Sequence, residues 1–184
     1  DAAAVKMAAS PFAVTVPAAQ PRLLRIVVEN VSDGFAGNFW FFKQGDPNFY
    51  DTAALVESAT AGKRTETEKA LALFGLFDRY FSHGRPMAAQ GMLHAPSVLL
   101  AGVGWGQCSE AAAVLETLCQ TAGLPTRGIG MQVVENGETR FAHFTTEVKA
   151  DGRWIFMDPD GGFVFALGEG YASVADLVRD PGIV

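Results

Sequence analysis

Cys108 stands where a glycine-rich loop, Gly102-Val103-Gly104-Trp105-Gly106-Gln107, gives way to a helix-forming run that begins Ser109-Glu110-Ala111-Ala112-Ala113. Three glycines in five residues permit backbone conformations and close approaches that a side chain would block, and the Ala and Leu residues that follow favour helix. A cysteine at a helix start faces unpaired N–H groups and the positive end of the helix dipole, and both favour the nucleophilic thiolate. Some 35 residues on comes Arg140-Phe141-Ala142-His143-Phe144-Thr145-Thr146-Glu147-Val148-Lys149-Ala150, then Asp151-Gly152, then Arg153-Trp154-Ile155-Phe156-Met157-Asp158. Asp-Gly between two such runs predicts a tight hairpin with Ala150 opposite Arg153. Counting back sets Thr145 opposite Asp158 and His143 opposite Asp160, so alternation puts His143 and both aspartates on one face, with Asp158 a diagonal neighbour within reach of the imidazole. Sulfur, imidazole and carboxylate in that order make a nucleophile, a base and an orienting group. Asp160 competes with Asp158 for the third role, but Pro159 has no N–H to continue the ladder, which favours Asp158.

The order Cys, His, Asp carries further marks: Gly106-Gln107-Cys108 before an alanine-rich helix, Gly123-Leu124-Pro125-Thr126-Arg127 after it, His143 four residues before Glu147-Val148, then Asp151-Gly152-Arg153-Trp154 and Asp158-Pro159. From about Ala53 to Asp160 this resembles the transglutaminase-like superfamily of papain-type thiol enzymes. The resemblance implies Cys108 as nucleophile, His143 as general base and acid, and Asp158 as the orienting carboxylate. It also implies a protease, amidase or transglutaminase-type acyltransferase that works through a cysteine thioester on amide bonds of peptides or proteins, with an amine as the alternative acceptor. Bacterial-type members are often proteases or amidases, so hydrolysis is the first expectation. Many members carry tryptophan two residues after the histidine, where this chain has Thr145. Arylamine acetyltransferases resemble the same layout, but their longer arginine- and glycine-rich approach to the cysteine is not seen. The alternative from another class is a non-catalytic binding or assembly module within a larger protein.

The neighbours of these residues have simpler roles open to them. Trp105 and Gln107 precede the thiol and are candidates for lining a cleft or donating to an oxyanion beside the Cys108 N–H; packing of the loop is the competing role. Glu110, in the first helical turn, suits the dipole and is assigned no chemistry. His83 and His94 show no metal-ligand spacing, and no oxygen-rich calcium loop occurs, so no metal or cofactor is expected. Cys119 lies eleven positions after Cys108 on the same predicted helix, about 16 Å away, which rules out a disulfide between them; it reads as core packing.

Positioning these groups calls for helices first and an antiparallel sheet after: an α+β fold with the nucleophile at a helix start. Helices are expected over 52–60 and, from a Thr65/Glu68 capping box, along one apolar face running Ala70, Leu73, Phe74, Phe77, Tyr80 and Phe81. Residues 85–96 read as loop, Ser97 as the cap of a helical turn over 98–100, and Gly123 with Pro125 as a helix stop. Thr126–Glu135 reads as a strand joined through Asn136-Gly137 to the strand that carries His143. A last strand is expected over Phe163–Leu167 and a helix from Ser173 through Val178. Residues 1–50 read as an alanine-rich tail and strands over 12–16, 23–31 and 38–42, either an edge sheet or the end of a preceding domain, and 51–184 as the transglutaminase-like domain.

With 184 residues, 49% of them apolar, the chain can bury one good core. A net charge of −6 without basic runs makes nucleic acid an unexpected partner, and the short apolar runs predict no membrane span. Two cysteines without a disulfide fit the cytoplasm or an exported protein alike. The start at Asp1 reads as a mature form or an excised domain.

Overall fold

A computed structural model describes residues 47–84 and 94–184, except the side chain of Phe141. The strands expected over 12–16, 23–31 and 38–42, and most of the 85–96 loop, lie outside the described residues. Helix α1 (Thr52–Thr60) is capped by Asp51, whose side chain accepts the Ala54 N–H. Helix α2 (Glu66–Phe74) opens on the Thr65/Glu68 capping box read from the sequence. The apolar face expected to continue unbroken to Phe81 is interrupted: Gly75 ends α2, and a short α3 (Phe77–Tyr80) resumes at an offset. Glycine lowers the cost of leaving the helix there, while Ala70, Leu73, Phe74 and Phe77 remain buried.

Strand β1 (Ser82–His83) pairs in parallel with β2 (Trp105–Gly106), matching Ser82 to Trp105 and His83 to Gly106. Between them, Ser97–Val103 forms a π-helix. Ser97 is therefore inside a helical segment that begins after Pro96, and not a cap. The Gly104 N–H reaches back five residues to the Leu99 carbonyl at 2.7 Å, and Gly104 closes the segment at φ 72, a conformation that favours glycine. At Gly106 a Cβ would sit 3.0 Å from Leu99 Cδ1 and 3.3 Å from the Phe81 ring. The glycine loop thus lets β2 run close to the core immediately before Cys108.

Helix α4 (Cys108–Thr121) forms the centre of the core. Ala111, Val114, Leu115, Leu118 and Cys119 are buried among Leu55, Leu73 and Phe77 on the helical side and Val148, Ile155 and Met157 on the sheet side. Burial pushes the Cys119 thiol up to about 12, with Glu116 adding to the effect. The sheet is antiparallel, β3 (Thr126–Glu135), β4 (Glu138–Ala150) and β5 (Arg153–Met157), in that order. Both hairpins turn as the sequence predicted: Asn136 and Gly137 have φ 53 and 81, Asp151 and Gly152 φ 50 and 79, the two positive values of a type I′ turn. Ala150 pairs with Arg153. Asp151 also ties the sheet to α2. Its carboxylate accepts the N–H groups of Glu66 and Thr67, and its own N–H donates to Glu66 Oε2 at 2.6 Å.

Beyond β5, Phe163 forms a bridge with Asp158, and only Ala166–Leu167 (β6) of the expected 163–167 strand is extended, paired with Gly170–Tyr171 (β7). Ser173 caps α5 (Val174–Arg179), and a 3-10 turn over Pro181–Ile183 follows. The face of β4 turned away from Val148 is closed by polar contacts. Fully buried Glu147 accepts from Arg127 Nε at 2.6 Å and from the Val174 N–H at 2.7 Å, while the Arg127 guanidinium lies 4.2 Å over the Trp154 ring. Removing Arg127 leaves a buried carboxylate with the Val174 N–H alone of these donors. Because the Arg127 side chain is itself 48% exposed, we expect Arg127→Ala to cost about 2 kcal/mol, read as a lower urea midpoint with an unchanged slope. Glu147→Gln, which keeps the shape and removes the charge, should cost less.

Candidate active site

Cys108 is the first residue of α4, as its sequence context predicts. The helix start is held by Glu110, buried to 2% exposure. Its Oε2 accepts the Gln107 N–H at 3.0 Å and the Ser109 hydroxyl at 3.2 Å. Glu110 therefore fixes the turn that carries the thiol. Cys108 is partly exposed, in contrast to buried Cys119, and both are free.

His143 lies on β4, where a register shift between Val133 and Val134 sets it opposite Met131. Without that bulge, counting from the Asn136-Gly137 turn would have paired it with Gly130. Its Nε2 lies 2.6 Å from Asp158 Oδ2, with the two side chains 13% and 6% exposed. The carboxylate is held from its other side, since Asp158 Oδ1 accepts the N–H groups of Asp160 and Gly161, each at 3.1 Å. The β4–β5 ladder stops at Thr146 and Met157; from there the chain folds back, with the Asp158 N–H donating to the Phe163 carbonyl and the Asp158 carbonyl accepting from Gly162 and Phe163. Pro159 cannot donate to a ladder, and this turn takes its place. Thr145 is buried and donates its hydroxyl to the Met157 carbonyl at 2.7 Å.

The same turn carries Asp160 out of the register that would have faced it to His143. Its two carboxylate oxygens lie 2.7 and 2.9 Å from Nδ1 of His83. His83 reaches this place because β1 is zipped to β2, the Ser82 N–H donating to the Gly104 carbonyl and the Gly84 N–H to that of Gly106. Cys108 Sγ, a ring nitrogen of His143 and a carboxylate oxygen of Asp160 all lie within 4.8 Å of one another. The spacing in the sequence points to Cys108, His143 and Asp158 as a group, with Asp160 as the rival to Asp158. Nothing in the spacing points to His83, because its contact depends on a two-residue parallel pairing that has no local signature.

A depression of about 310 Å³ opens beside the sulfur, lined by Cys108, His143, Met131, Gln132, Ala142 and Phe144 together with Gly130. Gln107 is the residue before α4, and Trp105 lies on β2 with its ring against Gly84, where a Cβ would come within 2.9 Å of it. Neither lines that depression. Among the described residues no helix is long and apolar enough to cross a membrane.

Several solved structures are similar to part of this chain. A candidate cysteine protease from Cytophaga hutchinsonii is 15% identical with a TM-score of 0.49, over 60% of this chain and 37% of that one. A candidate protease from Parabacteroides distasonis is 16% identical with a TM-score of 0.46, over 61% and 23%. The periplasmic domain of TgpA from Pseudomonas aeruginosa is 18% identical with a TM-score of 0.48, over 59% and 41%. The chain therefore spans well under half the length of each of these proteins. No curated protein sequence matches it. With helices and an antiparallel sheet around a helix-start cysteine, and with the family model described as the transglutaminase-like superfamily matching residues 53–159, more than half of its length, the chain belongs to that superfamily.

Proposed function

We propose that this protein is a thiol-dependent hydrolase of amide bonds in peptides or proteins, acting through a thioester on Cys108. The observation that carries this reading is the chain of contacts from Asp158 through Nε2 of His143 to a sulfur within 4.8 Å of the ring. With Nε2–H donated to Asp158, proton exchange with the sulfur falls to Nδ1. His143 takes the Cys108 proton and the thiolate attacks the amide carbonyl carbon. The oxyanion is met by the Cys108 N–H at the helix start, with Trp105 or Gln107 as the second donor. The C–N bond then breaks, the departing nitrogen takes the proton from Nδ1, and a thioester remains. Water, deprotonated by the same nitrogen, attacks the thioester and returns the thiol. An amine in place of water would form a new amide, the transglutaminase-type outcome.

The catalytic unit in this reading is residues 51–184. Among the described residues strand β3 is the edge of its sheet and contributes Gly130, Met131 and Gln132 to the depression, which suits an extended peptide laid alongside it. The test is a screen of peptides, glutamine amides and amine acceptors with Cys108→Ala as the blank. Release of acid and amine by the wild type alone, with an acyl adduct of Cys108 trapped by rapid acid quench, is the expected result. No turnover and no adduct across the panel would favour a non-catalytic binding module.

A further inference from the structure

We propose that Cys108, His143 and Asp160 form a binding site for a borderline-soft divalent cation, zinc in particular, and that occupancy switches the thiol off. Binding stands on geometry alone; the inhibitory consequence rests on the function proposed above. The three donor atoms, one sulfur, one imidazole nitrogen and one carboxylate oxygen, lie within 4.8 Å of one another. A tetrahedral zinc with ordinary bond lengths holds such donors about 3.5 Å apart, so closing around an ion asks for shifts on the order of 1 Å. This donor set suits zinc better than calcium or magnesium, which take oxygen ligands.

The surroundings supply what a metal site needs beyond its ligands. A metal-bound imidazole usually donates its other ring N–H to a carboxylate, which fixes the ring and raises its basicity. Here Nε2 of His143 faces Asp158 Oδ2 at 2.6 Å, leaving the metal to Nδ1. Asp160 is held in turn by Nδ1 of His83, and one of its oxygens can ligate while the other keeps that hydrogen bond. The Asp160 side chain is only 7% exposed, so it is not a mobile surface acid. On binding, the Cys108 proton leaves to solvent, and sulfur, nitrogen and oxygen occupy three positions with the fourth open to water. The sulfur lone pair that would attack the amide and the imidazole lone pair that would accept the thiol proton are then both taken by the ion.

The test is titration of the full chain with Zn²⁺ against a chromophoric chelator, together with Co²⁺ substitution. We expect one ion per chain, and with cobalt a sulfur-to-metal charge-transfer band beside the strong visible bands of a tetrahedral site. Cys108→Ser should abolish the charge-transfer band, Asp160→Asn should weaken zinc affinity at least tenfold, and His83→Ala, which removes only the support of Asp160, should weaken it about three- to tenfold. Stoichiometric zinc should also protect Cys108 from alkylation, and Ca²⁺ or Mg²⁺ should not. Absence of a cobalt–thiolate band in the wild type, or undiminished affinity in folded Asp160→Asn, would overturn the site. The spectra do not depend on turnover. An intact band in a protein that cleaves no amide would remove only the function proposed above, and an active protein without the band would remove only the metal site.

Discussion

Replacing His143 by alanine is expected to lower amide turnover by roughly 10³-fold or more and to slow alkylation of Cys108 near neutral pH by about tenfold. The two readouts separate the two jobs of the ring. Turnover loses both proton acceptance from the sulfur and proton delivery to the leaving nitrogen. Alkylation loses only the first, since an ordinary thiol is ionised to a few per cent at that pH. Cys119 is an internal control: it is buried, with its thiol pushed up to about 12, and should stay unmodified until the protein unfolds. Equal alkylation rates in wild type and His143→Ala would mean that the ring and the sulfur do not act together.

The second large effect is expected at Asp158, where the choice of substitution carries the information. Asp158→Ala removes the acceptor for Nε2 of His143 and for the N–H groups of Asp160 and Gly161. Turnover should fall by roughly 10²–10³-fold, mainly in kcat, and the turn should loosen, seen as a lower Tm. Asp158→Asn leaves one acceptor oxygen for two sides: when that oxygen accepts the Asp160 and Gly161 N–H groups, the NH2 faces Nε2 and favours the wrong ring tautomer, so turnover should fall at least as far as in Asp158→Ala while Tm falls less. If Asp158→Ala lost stability and kept its rate, the residue would be a turn former and not an orienting group.

What the chain discloses about itself divides by distance along it. The two type I′ turns are written in adjacent residues, Asn136-Gly137 and Asp151-Gly152, because only a few residue types tolerate positive φ at both positions. Each turn sets a register, and the second one is enough to bring Asp158 toward His143. The start of α4 at Cys108 and the capping boxes at Thr65 and Ser173 are likewise decided within one turn of helix. The break at Gly75 was less legible, since the apolar period continues across it and a single glycine within a helical pattern does not by itself end a helix.

Other features depended on groups far apart in sequence. The bulge that moves His143 from Gly130 to Met131, the π-helix that ends at Gly104 and the parallel pairing that sets His83 beside Gly106 are each a compromise between segments that must share one core. By itself the sequence determined an α+β fold with a helix-start thiol and a histidine and aspartate on neighbouring strands. Only the tertiary structure decided that Asp160 leaves the ladder to meet His83 and yet stays close to the sulfur. The physical reason is that backbone preferences act over a few residues, whereas the meeting of strands β1 and β4, helix α4 and the Asp158–Phe163 turn is fixed by the packing of the whole domain.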